Sequence, residues 1–227
     1  MNIAVLGTGI VAQTLASALA TRGHAVAIGT RDPAATLART AKGSFGQPGM
    51  SEWAAAHPAV RVATFADAAA GAEVVVNATS GSASLAALTA AGAANLDGKI
   101  VLDISNPLDF SKGFPPSLSV ANTDSLGEQI QRAFPGARVV KTLNTVSAHL
   151  MVDPNQLADG AHDMFVCGDD PGAREQVAGW LQAWFGWTHI VDLGDITNAR
   201  GTEAYLLLWT RLYGRLGTAT FNVHVVR

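Results

Sequence analysis

The sequence has one cysteine, Cys167, so no disulfide can form within the chain, and this usage fits a reducing compartment. Positive charge is not in excess either: 15 basic against 18 acidic residues leave a net charge of −3. With no run of lysine and arginine to neutralise phosphates, nucleic acid and anionic membrane surfaces are not expected partners. Long apolar stretches are also missing. The strongest, residues 204–209, is far too short to cross a bilayer. No basic leader with a small-residue cleavage site is visible before the first apolar segment, and the expected location is cytoplasmic. No Cys/His cluster has the spacing of a metal site, so no metal is expected. What remains is a 227-residue chain, 48% hydrophobic and only 15% charged. It should fold around an apolar interior, with length for one full α/β domain and a smaller unit.

Residues 1–31 carry the clearest signal. Asn2-Ile3-Ala4-Val5-Leu6 reads as a strand buried on both faces. Gly7-Thr8-Gly9-Ile10-Val11-Ala12 follows at once in G-x-G-x-x-A spacing. Gly7 permits the tight bend, Gly9 lets backbone approach a pyrophosphate, and Ala12 lets the next helix pack close to the strand. That helix is expected over 13–22, with Gly23 as a left-handed cap, and Ala25-Val26-Ala27-Ile28 as the second strand. The strand–turn–helix setting turns a weak motif into a dinucleotide-binding unit, whose helix end favours phosphate.

The second strand ends in Gly29-Thr30-Arg31. An NAD site places an acid here for the ribose 2′-hydroxyl, whereas a hydroxyl beside a guanidinium suits a 2′-phosphate. Asp32 is read instead as the N-cap of a helix that has Pro33 at its first position. NADP(H) is therefore the expected cofactor. Arg39 and Lys42 are read as solvated surface charge on a short helix and the loop over 42–51.

Three further buried strands end in polar loops: Thr79-Ser80-Gly81 after 73–78, Ser105-Asn106-Pro107 after 99–104, and Asn144-Thr145 after 138–143. Ligands of open α/β sheets lie outside such carboxyl ends, so these loops should border the cofactor. Beyond residue 150 the pattern changes to a strand at 163–168, a helix at 171–185, a strand at 188–193 and a long last helix. Trp180, Trp184 and Trp187 would share a helix face if the helix ran that far, and an exposed apolar face there suggests a homodimer. The expected fold is a doubly wound Rossmann-type parallel sheet over 1–150, with a smaller C-terminal α/β domain over 151–227.

Taken together, these stretches resemble the NADP-dependent oxidoreductases that serve the deazaflavin coenzyme F-420, relatives of the cytoplasmic domain of the STEAP metalloreductases. The motifs are Gly7-Thr8-Gly9, Gly29-Thr30-Arg31-Asp32, Lys141-Thr142-Leu143-Asn144-Thr145, Val166-Cys167-Gly168-Asp169-Asp170 and the Asp192–Arg200 segment with Glu203. The resemblance implies hydride transfer in a cleft between the two domains. Thr8, Gly9, Ile10 and Val11 would hold the pyrophosphate, Thr30 and Arg31 the 2′-phosphate, and Thr79 and Ser80 would lie near the nicotinamide ribose. Asn144, Thr145 and Val146 would line the pocket where nicotinamide meets a deazaflavin-type ring. There are two departures. Archaeal members carry histidine where Asn144 stands, as the metalloreductase relatives do not, and an arginine that some members have at position 35 is alanine.

No histidine stands in dyad spacing with a carboxylate, and Lys141, within a strand, is not placed as a proton donor. Ring-to-ring hydride transfer needs alignment more than acid–base chemistry. The alternatives are a flavin or metal-chelate reductase, a non-catalytic NADPH-binding protein, and an imine or hydroxy-acid reductase using Tyr205 or His149 as donor. Arg200 and Glu203 are read as a structural i, i+3 pair.

Overall fold

Short buried strands alternate with helices from the first residue, and through β8 the helices carry the chain back to start successive parallel strands of one sheet. The computed structural model describes residues 1–43 and 46–226; Ser44 and Phe45, within the loop expected over 42–51, lie outside the described residues. β1 (Asn2–Leu6), α1 (Ile10–Thr21) and β2 (Ala25–Thr30) form the opening βαβ unit, with β1 and β2 parallel in register. α2 (Pro33–Leu37), α3 (Met50–Ala56) and β3 (Arg61–Thr64) complete that side of the sheet. The chain then returns through α4 (Phe65–Ala70) to β4 (Val74–Asn77), which pairs with the other edge of β1. α5 (Gly81–Ala91), α6 (Ala93–Leu96) and β5 (Ile100–Asp103) follow, then a hairpin of β6 (Leu108–Asp109) and β7 (Ser117–Leu118). Next come α7 (Leu126–Ala133), β8 (Arg138–Thr142) and α8 (Ala148–Val152). Last are β9 (Met164–Cys167), α9 (Pro171–Phe185), β10 (Ile190–Asp192) and α10 (Ala199–Leu216).

The eight long strands form one sheet in the order β10-β9-β8-β5-β4-β1-β2-β3. The chain runs outward in both directions from β1, so the crevice where ligands of such sheets bind opens between β1 and β4. Apolar side chains of β1, β4 and β5 alternate between two cores, one under α1, α8 and α9, the other under α4, α5 and α7. This is the doubly wound Rossmann arrangement. The segment after residue 150 is α/β as expected, and its two strands extend the same sheet. β9 joins β8 antiparallel, while β10 runs parallel to β9.

The tryptophans depart from expectation. Gly186 takes a left-handed conformation (φ 83°) and stops α9 at Phe185, so Trp187 leaves the helix face. It is 1% exposed, and its indole N–H donates to the Met151 carbonyl (3.0 Å). Trp184 is buried too, stacked on Trp180 and edge-on to His24. The exposed apolar face expected around Trp180 and Trp184 is thus largely core. Large exposed apolar side chains occur instead at Leu207, Leu208 and Leu216 of α10 and at Phe110 and Phe114. Among the described residues no helix is long and apolar enough to cross a membrane.

Candidate dinucleotide-binding site

Gly7 has φ 118°, and a Cβ there would lie 2.7 Å from the Ala78 carbonyl oxygen, so only glycine lets the turn pass β4 this closely. Gly9 differs: a Cβ there would meet no protein atom within 4 Å, because the residue faces open space. It is the N-cap of α1, and neither a capping side chain nor a first-turn acid engages that helix end. The leading N–H groups, including those of Ile10 and Val11, remain free for an anion, and the dipole favours one. Bare backbone at a helix start fits a pyrophosphate.

A cavity of about 930 Å³ runs along this turn, bounded by Gly7, Thr8, Gly9, Thr30, Arg31, Thr79 and Ser80 among others. These expected residues are therefore brought to one wall. At its β2 end the Asp32 carboxylate accepts from the Ala35 N–H (2.9 Å) and caps α2, with Pro33 at the first position. The cap uses one oxygen of a carboxylate that also lines the cavity. The Thr30 and Thr36 hydroxyls pair at 2.9 Å, and Arg31 is exposed beside them. Arg39 also lines the cavity, although its sequence context reads as plain surface charge. Its nearness to the glycine turn depends on a contact across 31 residues that local pattern does not encode.

The rim loops are held from below by a buried polar network. The Thr79 hydroxyl donates to Asn77 Oδ1 (2.7 Å), and Asn77 Nδ2 donates to Asp103 Oδ1 (2.8 Å). Asp103 also accepts from the Ser105 N–H and hydroxyl, and its other oxygen meets Lys141 Nζ at 2.8 Å. Lys141 contacts Glu203 Oε1 at 2.7 Å and donates to the Ser105 carbonyl. Glu203 in turn accepts from the Leu126 and Gly127 N–H groups at the start of α7. Burial works to lower the Lys141 pKa, but the two carboxylates outweigh it and hold the ammonium above its ordinary value. The sequence clue was a charge inside each of two otherwise apolar strands, at Asp103 and Lys141. Arg200 and Glu203 do not form the expected i, i+3 pair: Arg200 makes two bonds to Glu128, while Glu203 turns to Lys141.

Asn106 and Asn144 interlock: each side-chain amide donates to the other residue (2.9 Å both ways). Gly81 packs so tightly under the Asn106 carbonyl that a Cβ would collide with it. Val146 lies in the core at 5% exposure. Thr145 lines a second cavity, about 530 Å³, together with Phe165, Arg200, Tyr205 and Val223. The hydroxyls of Thr145 and Tyr205 are buried and have no hydrogen-bond partner among the described residues. Burial raises the pKa of the Tyr205 hydroxyl, keeping it a neutral donor. His149 lies away from both cavities' walls, between Ser147 and Thr220. Among the described residues no group of three or more His, Cys, Asp or Glu side chains could hold a metal ion.

Fold and turn together define a Rossmann-type α/β protein of the dinucleotide-binding kind, with a bare helix N-terminus after β1 and an arginine at the end of β2. The chain belongs to the coenzyme F420-dependent NADP oxidoreductase family, whose sequence profile matches residues 2–107. It is 60% identical, over the full length of both chains, to an Arthrobacter sp. FB24 protein provisionally described as an F420-dependent NADP reductase (TM-score 0.94). Metalloreductase STEAP3 of Rattus norvegicus is 30% identical over 205 residues, 89% of this chain. This chain spans only 36% of that protein's length. The reductive aminase of Aspergillus terreus, solved with NADPH and ethyl levulinate, shares the fold at 18% identity (TM-score 0.62; 95% of this chain, 62% of that one).

Proposed function

We propose that the protein binds NADP(H) along the carboxyl edge of the sheet and transfers hydride between it and a deazaflavin-type ring acceptor. The observation that carries the cofactor reading is the end of β2: two arginines and two threonines line the cavity there against one carboxylate, Asp32, which has an oxygen engaged in capping α2. Gly7 to Val11 seat the pyrophosphate, Thr30 and Arg31 grip the 2′-phosphate, and Thr79 and Ser80 border the nicotinamide ribose. When bound, the nicotinamide supplies or accepts the hydride; the chain aligns the two rings and keeps water out. Asn106 and Asn144 stand at the meeting point. Residues 151–227 close the cleft, and the cavity behind Thr145 receives the acceptor, whose polar ring atoms satisfy the Thr145 and Tyr205 hydroxyls. The homodimer proposal moves to the exposed leucines of α10.

Mixing the protein with NADPH and purified deazaflavin should bleach the acceptor's absorbance. Turnover with free flavin or a ferric chelate but not with deazaflavin would favour the second reading, a flavin or metal-chelate reductase. That reading is supported by Asn144 and by the likeness to a metalloreductase. Tight NADPH binding with no oxidation by any acceptor would leave a non-catalytic binding protein. Arg31→Ala should weaken NADPH about tenfold or more, as loss of a charge-assisted bond of about 1.5–3 kcal/mol implies, and leave NADH nearly unchanged. Titration of both dinucleotides checks it.

A further inference from the structure

We propose that Arg39 is a second cation reading the 2′-phosphate, reaching back from beyond α2 to the glycine turn; this rests on the NADP(H) reading above. The backbone at Arg39 is pinned on both sides. Its N–H donates to the Thr36 carbonyl (3.2 Å), and its own carbonyl accepts from the Ser51 N–H (3.0 Å). Gly49 sits against it so closely that a Cβ would lie 2.7 Å from the Arg39 carbonyl oxygen. A side chain rooted this firmly has a restricted reach.

From that root the guanidinium crosses to β1's turn, where Nη2 donates to Thr8 Oγ1 at 2.9 Å and leans toward the Thr8 carbonyl (3.4 Å). An arginine that only solvates a surface would not bridge the two chain segments that hold a dinucleotide's phosphates. The contact at Thr8 uses one of five N–H donors, leaving the others for a ligand. Arg39 shares the wall of the large cavity with Thr30, Arg31 and Thr36. Among the described residues neither Arg31 nor Arg39 is paired with a carboxylate. Two guanidinium groups line this cavity against the single carboxylate of Asp32, a net positive charge in a protein of net charge −3, and this favours a multiply charged anion. A 2′-phosphate is such an anion, and both arginines line the cavity that would receive it. Thr8 holds the side chain in place before the ligand arrives, which reduces the ordering cost of binding.

The test is Arg39→Gln, which keeps a polar side chain at the position while removing the charge and the fork that reaches Thr8. Binding is followed by titration with NADPH and NADH, and with the fragments 2′,5′-ADP and 5′-ADP. The expected result is a loss of about ten- to thirtyfold for NADPH and 2′,5′-ADP, with NADH and 5′-ADP within twofold of wild type. An unchanged melting temperature of the free protein separates this from misfolding; Arg39→Lys, which retains charge without the fork, should recover part of the loss. Equal losses for phosphorylated and unphosphorylated ligands would place Arg39 on the pyrophosphate and overturn the proposal, as would no loss at all. If wild type shows no NADPH preference, the parent reading fails. If Arg31→Ala abolishes a preference that Arg39→Gln leaves intact, only the present inference falls.

Discussion

Lys141→Met is expected to lower the melting temperature by about 6–20 °C at pH 7. The side chain is fully buried and sits between Asp103 and Glu203 at 2.8 and 2.7 Å. Removing it leaves two carboxylates without their cation in the interior, a change that costs about 3–5 kcal/mol. In a domain of this size each kcal/mol shifts the transition by roughly 2–4 °C. Neutralising one of the two carboxylates relieves part of that unpaired charge. Glu203→Gln in the same chain should therefore recover part of the lost stability, since the two changes touch one network. Thermal melts of the single and double variants check this. A shift below 2 °C for Lys141→Met would mean that the network does not stabilise the fold. The same variant loosens Asp103, Asn77 and Thr79 in turn, so NADPH should bind less tightly to whatever protein remains folded.

The second large effect belongs to Gly7. Gly7→Ala introduces a Cβ at φ 118°, against the Ala78 carbonyl, and the strain of such a backbone costs on the order of 1–3 kcal/mol. The turn must shift away from β4, carrying Thr8 and Gly9 with it. Both stability and NADPH affinity should fall, the affinity by tenfold or more. Gly9→Ala is the informative control. Its φ of −81° is ordinary for any residue, and its Cβ would point into empty space. The melting temperature should hold while the new methyl group crowds the pyrophosphate and weakens NADPH. If both variants bind the dinucleotide as wild type does, the phosphate seat lies elsewhere.

The glycine turn, the Asp32 cap and the polar strand ends were legible in the sequence because each depends on residues within one turn of chain. The β8–β9 reversal was not. A strand buried on both faces shows the same apolar run in either direction, so Met164–Cys167 gives no sign of which way it runs. Trp187 lies beyond the helix end expected at Phe185, because Gly186 stops α9 there; what the sequence did not reveal is how far Trp184 is buried. Arg39 and Glu203 were hidden by distance, since their partners lie 31 and 62 positions away at Thr8 and Lys141. Only the closed sheet brings them together.

The capping bond of Asp32 bears on any attempt to switch the coenzyme. Replacing the arginines with neutral residues removes attraction for the extra phosphate but adds nothing for a bare ribose diol, since the Asp32 carboxylate already gives one of its oxygens to the start of α2. A working exchange would need a fresh carboxylate at the tip of β2, and a serine or asparagine at 32 would serve the helix equally well. Selectivity and helix initiation are thus separable by two substitutions made together, and neither alone should yield an efficient NADH user.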